Sequence, residues 1–288
     1  MAVDEARAEA AVRELLIAME AEAWDGEWYR RGYYDDGTPL GSHESLECQI
    51  DAIAQSWAIL SGAADREDGG RTAERARRAM SVVHERLVRR EDRLVLLFEP
   101  PFDRTPHEPG YIKGYPPGIR ENGGQYTHAA IWTVWAFAEL GEGDLAAELY
   151  RLINPVYRAD TLDDVRRYRV EPYVISADVY GVPPHVGRGG WTWYTGSASW
   201  LYRLGAEGIL GLRRSGDRLT VDPCIPTSWE GFTVTYRFGS ATYDIRVQNP
   251  RGVSRGVSEV TLDGVAMGAE GVPLRDDGKH HAVHVFLG

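Results

Sequence analysis

The chain has 288 residues, 43% of them hydrophobic, enough to bury a large core in one large domain or two smaller ones. Its net charge of −11, from 43 acidic against 32 basic residues, argues against nucleic acid or an anionic membrane as the main partner. Cys48 and Cys224 show neither metal-ligand nor redox spacing, and no apolar run reaches the ~20 residues that span a bilayer. A soluble, cytoplasmic chain is expected, its cysteines serving as buried small hydrophobes in a reducing compartment.

Residues 4–22 set Ala8, Ala11, Val12, Leu15, Leu16 and Met19 on one helical stripe, without a signal-peptide pattern. A second helix is predicted over 45–61 from Ile50, Ile53, Ala54, Trp57 and Leu60, stopping at Gly62. ADREDGG at 64–70 reads as a polar turn, and 71–90 as an exposed, arginine-rich helix. The run 92–98 reads as a strand or an extended approach to the long loop 99–125, a length uncommon in compact domains unless functional or disordered. Further helices are predicted at 126–140, 143–153, 161–168 and 196–212. After Leu212 apolar and polar residues alternate between turn signals, predicting several short antiparallel strands in a sandwich-like module. The boundary is expected near 213–217, giving a helical part over 1–215 and a β module over 216–288. Helical pairs whose loops converge at one end suggest an α/α toroid.

Nine Trp and fifteen Tyr accompany only six Phe, and many fall in glycine-rich segments at 24–37, 110–118 and 189–200. Trp and Tyr offer an apolar face and a hydrogen-bonding edge, which suits a sugar ring. Loops carry function more often than core does, so the clustering matters more than any single ring.

ENGGQYTHAA at 121–130 places many polar groups at one helix start, where unpaired N–H groups favour an anion. Arg120 and His128 can both donate to an oxyanion, and Gly123 and Gly124 leave backbone N–H groups accessible. The plainer reading of His128 is a satisfied structural histidine. In WYTGSASW, 193–200, Thr195 is a natural N-cap and Gly196 allows close approach, which describes a capped helix or a second anion contact. Asp25, Glu27, Asp35, Asp36 and Glu171 invite a glycosidase reading, but Asp35-Asp36-Gly37 is also an ordinary turn. No Cys, His and Asp cluster has metal spacing, so no metal or cofactor is expected.

YPPGIRENGGQYTHAAIW, EPYVISADVYGVPPHVGRGGWTWYTGSASWLYR and CIPTSWEGF together resemble glycoside hydrolase family 94, the inverting sugar phosphorylases. WDGEWYRRGYYDDGTPLGS and ECQIDAIAQSWAILSGA look most like the phosphorylase-type domain of cyclic β-1,2-glucan synthases, and the resemblance runs from about Trp24 to the C-terminus. It implies a mainly α fold, the C-terminal portion of an (α/α)₆ barrel followed by a small antiparallel β-sandwich domain. It implies that inorganic phosphate, as co-substrate, attacks the anomeric carbon while one aspartic acid protonates the leaving oxygen. By motif, His128, Thr195 and Gly196 match the family's phosphate ligands, and Tyr115 and Arg120 match contacts to the leaving sugar. Arg120 stands where relatives carry lysine, a change of geometry at constant charge.

The family's acid motif, of the form Asp-Trp-Asn-Asp-Gly, is not found, and WDGEW at 24–28 aligns with a later segment, so Asp25 is not assigned that role. The general acid is therefore expected upstream, with the missing N-terminal half of the enzyme as a partner and the chain alone inactive. The resemblance implies phosphorolysis or transfer of β-1,2-linked glucosyl units. The alternatives are a non-catalytic carbohydrate-binding or assembly module and, last, a hydrolase using Glu171 or Asp36 as acid.

Overall fold

A computed structural model describes residues 4–63, 70–193 and 195–288. The turn expected at 64–70 lies outside the described residues but for Gly70, and so does Tyr194 of WYTGSASW. The chain divides into two compact units, Met1–Ala136 with Leu152–Ala198, and Phe137–Arg151 with Ser199–Gly288. Helices and sheets are mixed, so the mainly α expectation holds in part: helices prevail in the first unit and strands in the second.

In the first unit, α1 (Glu5–Ala18) starts at Asp4, whose carboxylate accepts the Arg7 N–H at 3.3 Å, and none of its side chains is buried. It continues as a π-helical turn, Met19–Ala23. The helix expected over 45–61 is only Ala52–Leu60 (α2). Ile50–Asp51 is drawn instead into an antiparallel pair with Phe98–Glu99, and Asp51 caps α2 by accepting the Ile53 N–H at 2.8 Å. The neighbouring helix, Arg71–Leu87 (α3), is not the exposed arginine helix expected. Ala76, Ala79, Met80, Val83 and Leu87 recur at three- and four-residue spacing, are buried, and give α3 a face that packs on α2. The run 92–98 yields two-residue strands, Leu94–Val95 and Phe98–Glu99. Thr127–Glu139 (α4), Gly143–Ile153 (α5) and Leu162–Tyr168 (α6) lie close to expectation.

Ser197–Arg203 (α7) is shorter than the helix expected over 196–212 and turns π-helical through Leu204–Ile209. Gly211 then takes φ +70°, where a β-carbon would collide with Asp222, and the strands begin. They are Leu212–Ser215 (β1), Arg218–Val221 (β2), Gly231–Phe238 (β3), Ala241–Gln248 (β4), Val257–Leu262 (β5), Val265–Ala266 (β6), Val272–Pro273 (β7) and His280–Leu287 (β8). One sheet has the order β7-β2-β1 and the other β3-β4-β8-β5-β6. Alternating burial of Tyr243, Ile245, Val247, Val283, Val285 and Leu287 gives the larger sheet its core face. The antiparallel expectation fails at one pairing, because β8 runs parallel to β4 from Thr242↔His280 to Gln248↔Phe286. Alternation fixes which face a residue takes and is blind to strand direction.

Residues 213–217, where the sequence periodicity changes, form a hairpin inside the second unit rather than its edge. Arg255 knits that unit together, donating to Asp222 Oδ2 at 2.7 Å and to the Glu139 carbonyl at 2.9 Å.

Candidate functional site

The loop before α4 is held by one amide. Asn122 is fully buried, donates to the carbonyls of Phe102 (2.9 Å) and Tyr115 (2.8 Å), and accepts the Phe102 N–H at 2.7 Å. The chain winds tightly around it, with the Gly118 N–H donating to the Asn122 carbonyl at 2.7 Å. A β-carbon at Gly123, which has φ +78°, would lie 2.8 Å from Pro101, and one at Gly124 would lie 2.9 Å from the Gly118 carbonyl. Both glycines are buried, so the expectation that their N–H groups are accessible to an anion is corrected. They are there for close packing. Gln125 also turns inward, its Oε1 accepting from the Val95 N–H at 3.1 Å and from Arg158 at 3.3 Å.

His128 is different. It sits in the first turn of α4, half-buried, with Tyr126 stacked at 5.2 Å and Trp132 tilted at 6.0 Å. Burial pushes its pKa below the ordinary imidazole value, so the neutral ring prevails at pH 7. Its Nδ1 is buried without a hydrogen-bond partner, while Nε2 faces Gly196, where a β-carbon would lie 3.2 Å away. A side chain at 196 would crowd the imidazole. Thr195, next in the chain, accepts the Ser197 N–H at 3.2 Å and shares a 2.7 Å hydrogen bond with the Ser197 hydroxyl. The structure thus brings His128 and the Thr195-Gly196 pair to one place from segments 67 residues apart (195 − 128).

Tyr115 and Arg120 form a second group. Arg120 has φ +50°, and its guanidinium lies 5.2 Å from the Tyr115 ring and 5.8 Å from the Trp191 ring. Such contacts hold a cation in place while leaving its N–H edge free to donate. Partial burial opposes the Arg120 charge, but the carboxylates of Asp178 and Glu121 outweigh it and raise the pKa. Glu121 Oε2 is 3.5 Å from Arg120 Nε, an ion pair without a hydrogen bond.

Sequence reasoning missed Asp178, Glu121 and Trp191 as partners of this group. Asp178 is 2% exposed and pairs with Tyr126 across a short ladder. Its Oδ1 accepts the Trp191 N–H at 3.1 Å, and Gly190 has no β-carbon to collide with the carboxylate. Burial pushes its pKa up, against the pull of the Trp191 N–H and the Arg120 charge. The signal was an acid inside the apolar run VISADVY. Buried polar atoms without a hydrogen bond gather here: Arg120 Nε, Glu121 Oε2, Thr127 Oγ1, His128 Nδ1 and Asp178 Oδ2. Folded proteins leave few such groups, so each calls for a partner such as water or a bound polar group.

The other carboxylates have other work. Asp25 is buried against Arg30 (2.6 Å), His43 (2.7 Å) and Ser42 (3.1 Å). Burial alone would raise its pKa, but these hydrogen bonds reverse the sign and hold it ionised. Asp36 accepts the Thr38 N–H at 2.9 Å and faces His107 at 3.2 Å, which also keeps it a carboxylate. Glu171 accepts from the Trp193 indole at 3.3 Å. Cys48 and Cys224 are buried and unpaired. Among the described residues no group of three or more His, Cys, Asp or Glu is placed to hold a metal ion, and no helix is long and apolar enough to cross a membrane.

Residues 2–211 match the family model for the catalytic domain of the glycosyl hydrolase 94 superfamily. The cyclic beta-(1,2)-glucan synthase NdvB of Rhizobium meliloti (strain 1021) is 54% identical over 233 residues, 81% of this chain and 8% of that protein. The N,N'-diacetylchitobiose phosphorylase of Vibrio furnissii is 36% identical over 276 residues, 94% of this chain and 32% of that enzyme. The solabiose phosphorylase of Paenibacillus borealis is 31% identical over 289 residues, 98% of this chain and 36% of that enzyme. The chain therefore spans less than a tenth of the first relative and about a third of the other two. With more than half its residues matched by the family model, the chain belongs to the glycosyl hydrolase 94 superfamily.

Proposed function

We propose that this chain supplies the phosphate contacts and the leaving-sugar contacts of a phosphorylase-type enzyme acting on β-1,2-linked glucosyl units. The observation that carries the reading is the meeting of His128 with Gly196 beside the buried, unmatched polar atoms of 120–128 and Asp178. In this reading the His128 imidazole, the Thr195 hydroxyl and the Gly196 N–H donate to inorganic phosphate. Tyr115 and Arg120 take the sugar that departs, with Trp191 beneath the guanidinium. Phosphate then attacks the anomeric carbon, the glycosidic bond breaks, and an acid must give its proton to the leaving oxygen. Asp25 and Asp36 are held ionised and are poor donors; in this reading the proton comes from the aspartic acid that the family resemblance implies, and none of these residues is assigned that role. The first unit is then part of an (α/α)₆ barrel. The β-1,2 linkage is supported by the synthase relative.

The alternative, a carbohydrate-binding module without turnover, is favoured by the same ionised carboxylates. One experiment separates the readings. Inorganic phosphate and sophorose are titrated calorimetrically into the chain and into His128→Ala, and glucose 1-phosphate release is followed in parallel. The phosphorylase reading expects phosphate binding that His128→Ala weakens about tenfold, the loss of one hydrogen bond to a charged group. Sugar binding with no response to phosphate would leave only the binding module. Release of glucose 1-phosphate by this chain alone would show that it carries its own acid.

A further inference from the structure

Beyond Trp191 the chain carries a second set of rings that the proposed site does not use. The segments 171–179 and 189–193 lie antiparallel, bridged at Ser176↔Thr192 and Val179↔Gly189. Trp191 sits beside Asp178, and Trp193 lies two residues farther along, about 7 Å at the rise of an extended chain. Trp193 is 61% exposed and Tyr173 is 71% exposed, with their rings edge to face at 6.3 Å. The Trp193 indole N–H donates to Glu171 Oε1 at 3.3 Å, which fixes the ring's orientation.

Trp193 also has φ +67°. A ring-bearing residue in the left-handed region is strained, and such strain collects at ligand-holding positions. Here it accompanies an exposed indole, a position where a smaller residue would be less costly on both counts. The second oxygen of Glu171 makes no hydrogen bond among the described residues and is a ready acceptor for a hydroxyl. Flat aromatic faces with a hydroxyl acceptor at the rim suit a neutral pyranose. An anionic partner would meet Glu171 and a chain of net charge −11.

We infer that Trp193, Tyr173 and Glu171 form an outer sugar subsite, one that takes a second or later residue of a β-linked gluco-oligosaccharide. This rests on the reading of Tyr115, Arg120 and Trp191 as the contacts of the first leaving sugar. It adds a length preference: longer acceptors bind better because their outer residue covers the exposed indole.

The test is calorimetric titration of the whole chain with β-1,2-gluco-oligosaccharides of two to five residues. Wild type is compared with Trp193→Ala, Trp193→Phe, Glu171→Gln and Tyr115→Ala. Affinity should rise with length in the wild type. Trp193→Ala should remove that rise, weakening the longer sugars about three- to tenfold while leaving the disaccharide within about twofold. Trp193→Phe should keep part of the gain, since the ring face survives without the indole N–H. Glu171→Gln should weaken only the longer sugars. Tyr115→Ala should weaken every length alike. A wild type indifferent to length, or a Trp193→Ala loss equal at all lengths, would overturn the outer subsite and leave the inner one standing. Failure to bind any of these sugars would overturn both.

Discussion

Asp178 carries a burial cost and links Trp191 to Arg120. Its carboxylate is buried beside Arg120, holds the Trp191 N–H, and leaves Oδ2 without a hydrogen bond. Asn keeps the shape and the acceptor for Trp191 but removes the charge that faces Arg120. We expect Asp178→Asn to weaken sophorose binding about tenfold, roughly 1.4 kcal/mol, with phosphate binding unchanged. Its thermal stability at pH 7 should not fall. The raised pKa means that the folded acid holds its proton more firmly than the unfolded chain does. Stability is therefore lost as pH rises from the unfolded value, about 4, through the folded one, and Asn escapes that loss. Melting curves at several pH values check the sign: the variant's advantage should vanish in acid. A lower melting temperature at neutral pH would show that the carboxylate holds the loops together instead. His128 offers a second residue-scale measurement. Its imidazole should titrate by NMR below the ordinary value, because burial disfavours the charged ring, and should move upward on adding inorganic phosphate. The motifs of His128, Thr195 and Gly196 stand out in the sequence, and the structure sets His128 against Gly196. Asp178 was not, since its role depends on a neighbour 58 residues away (178 − 120) and on the missing β-carbon of Gly190.

At the scale of the element, the loop before α4 shows how a motif misleads. ENGG looks like a cradle for an anion, yet Asn122 and both glycines are spent on folding the loop against Phe102, Pro101 and Gly118. Of this segment, the proposed contacts use Arg120 and His128. Asn122→Ala removes three hydrogen bonds and strands their buried backbone partners, which should destabilise the chain by about 2–4 kcal/mol in urea titrations. An effect under about 1 kcal/mol would mean that the loop does not depend on the clamp. Helix lengths were legible where the apolar stripe was uncontested, as in α4 and α5, and not where a strand pairing competed, as at Ile50–Asp51. In the β8 strand, His281 stacks on Tyr243 and contacts Asp263 at 2.7 Å and Asp277 at 3.2 Å. The hydrogen bond to Asp263 leads in raising the His281 pKa. That contribution is complete below the ordinary imidazole value and is lost as pH rises through the raised one. His281→Gln should therefore lower the melting temperature more at about pH 5.5 than at about pH 9.

For the whole molecule, the strands are as telling as the helices. Periodicity located the change from helix to strand near 213–217 but not the grouping of α5 and the end of α4 with the strands. Within it Arg255 and Arg213 both meet Glu139, ion pairs that no periodicity reveals. Truncation after Lys279 should abolish the strand-type circular dichroism of the second unit, since β8 is the link between β4 and β5. Retention of that signal would show that the remaining strands close on each other. The place of β8 also sets a timetable. A ribosome delivers β3, β4, β5 and β6 in order, and β3 with β4 can pair as a hairpin on emergence. The β5–β6 hairpin emerges next, but it has no neighbour to dock on, because the space beside β4 belongs to a segment not yet made. Only when residue 287 clears the exit tunnel can the sheet close, with β8 sliding between two edges that have waited for it. Until then β4 and β5 present open edges, which are prone to pair with the wrong chain.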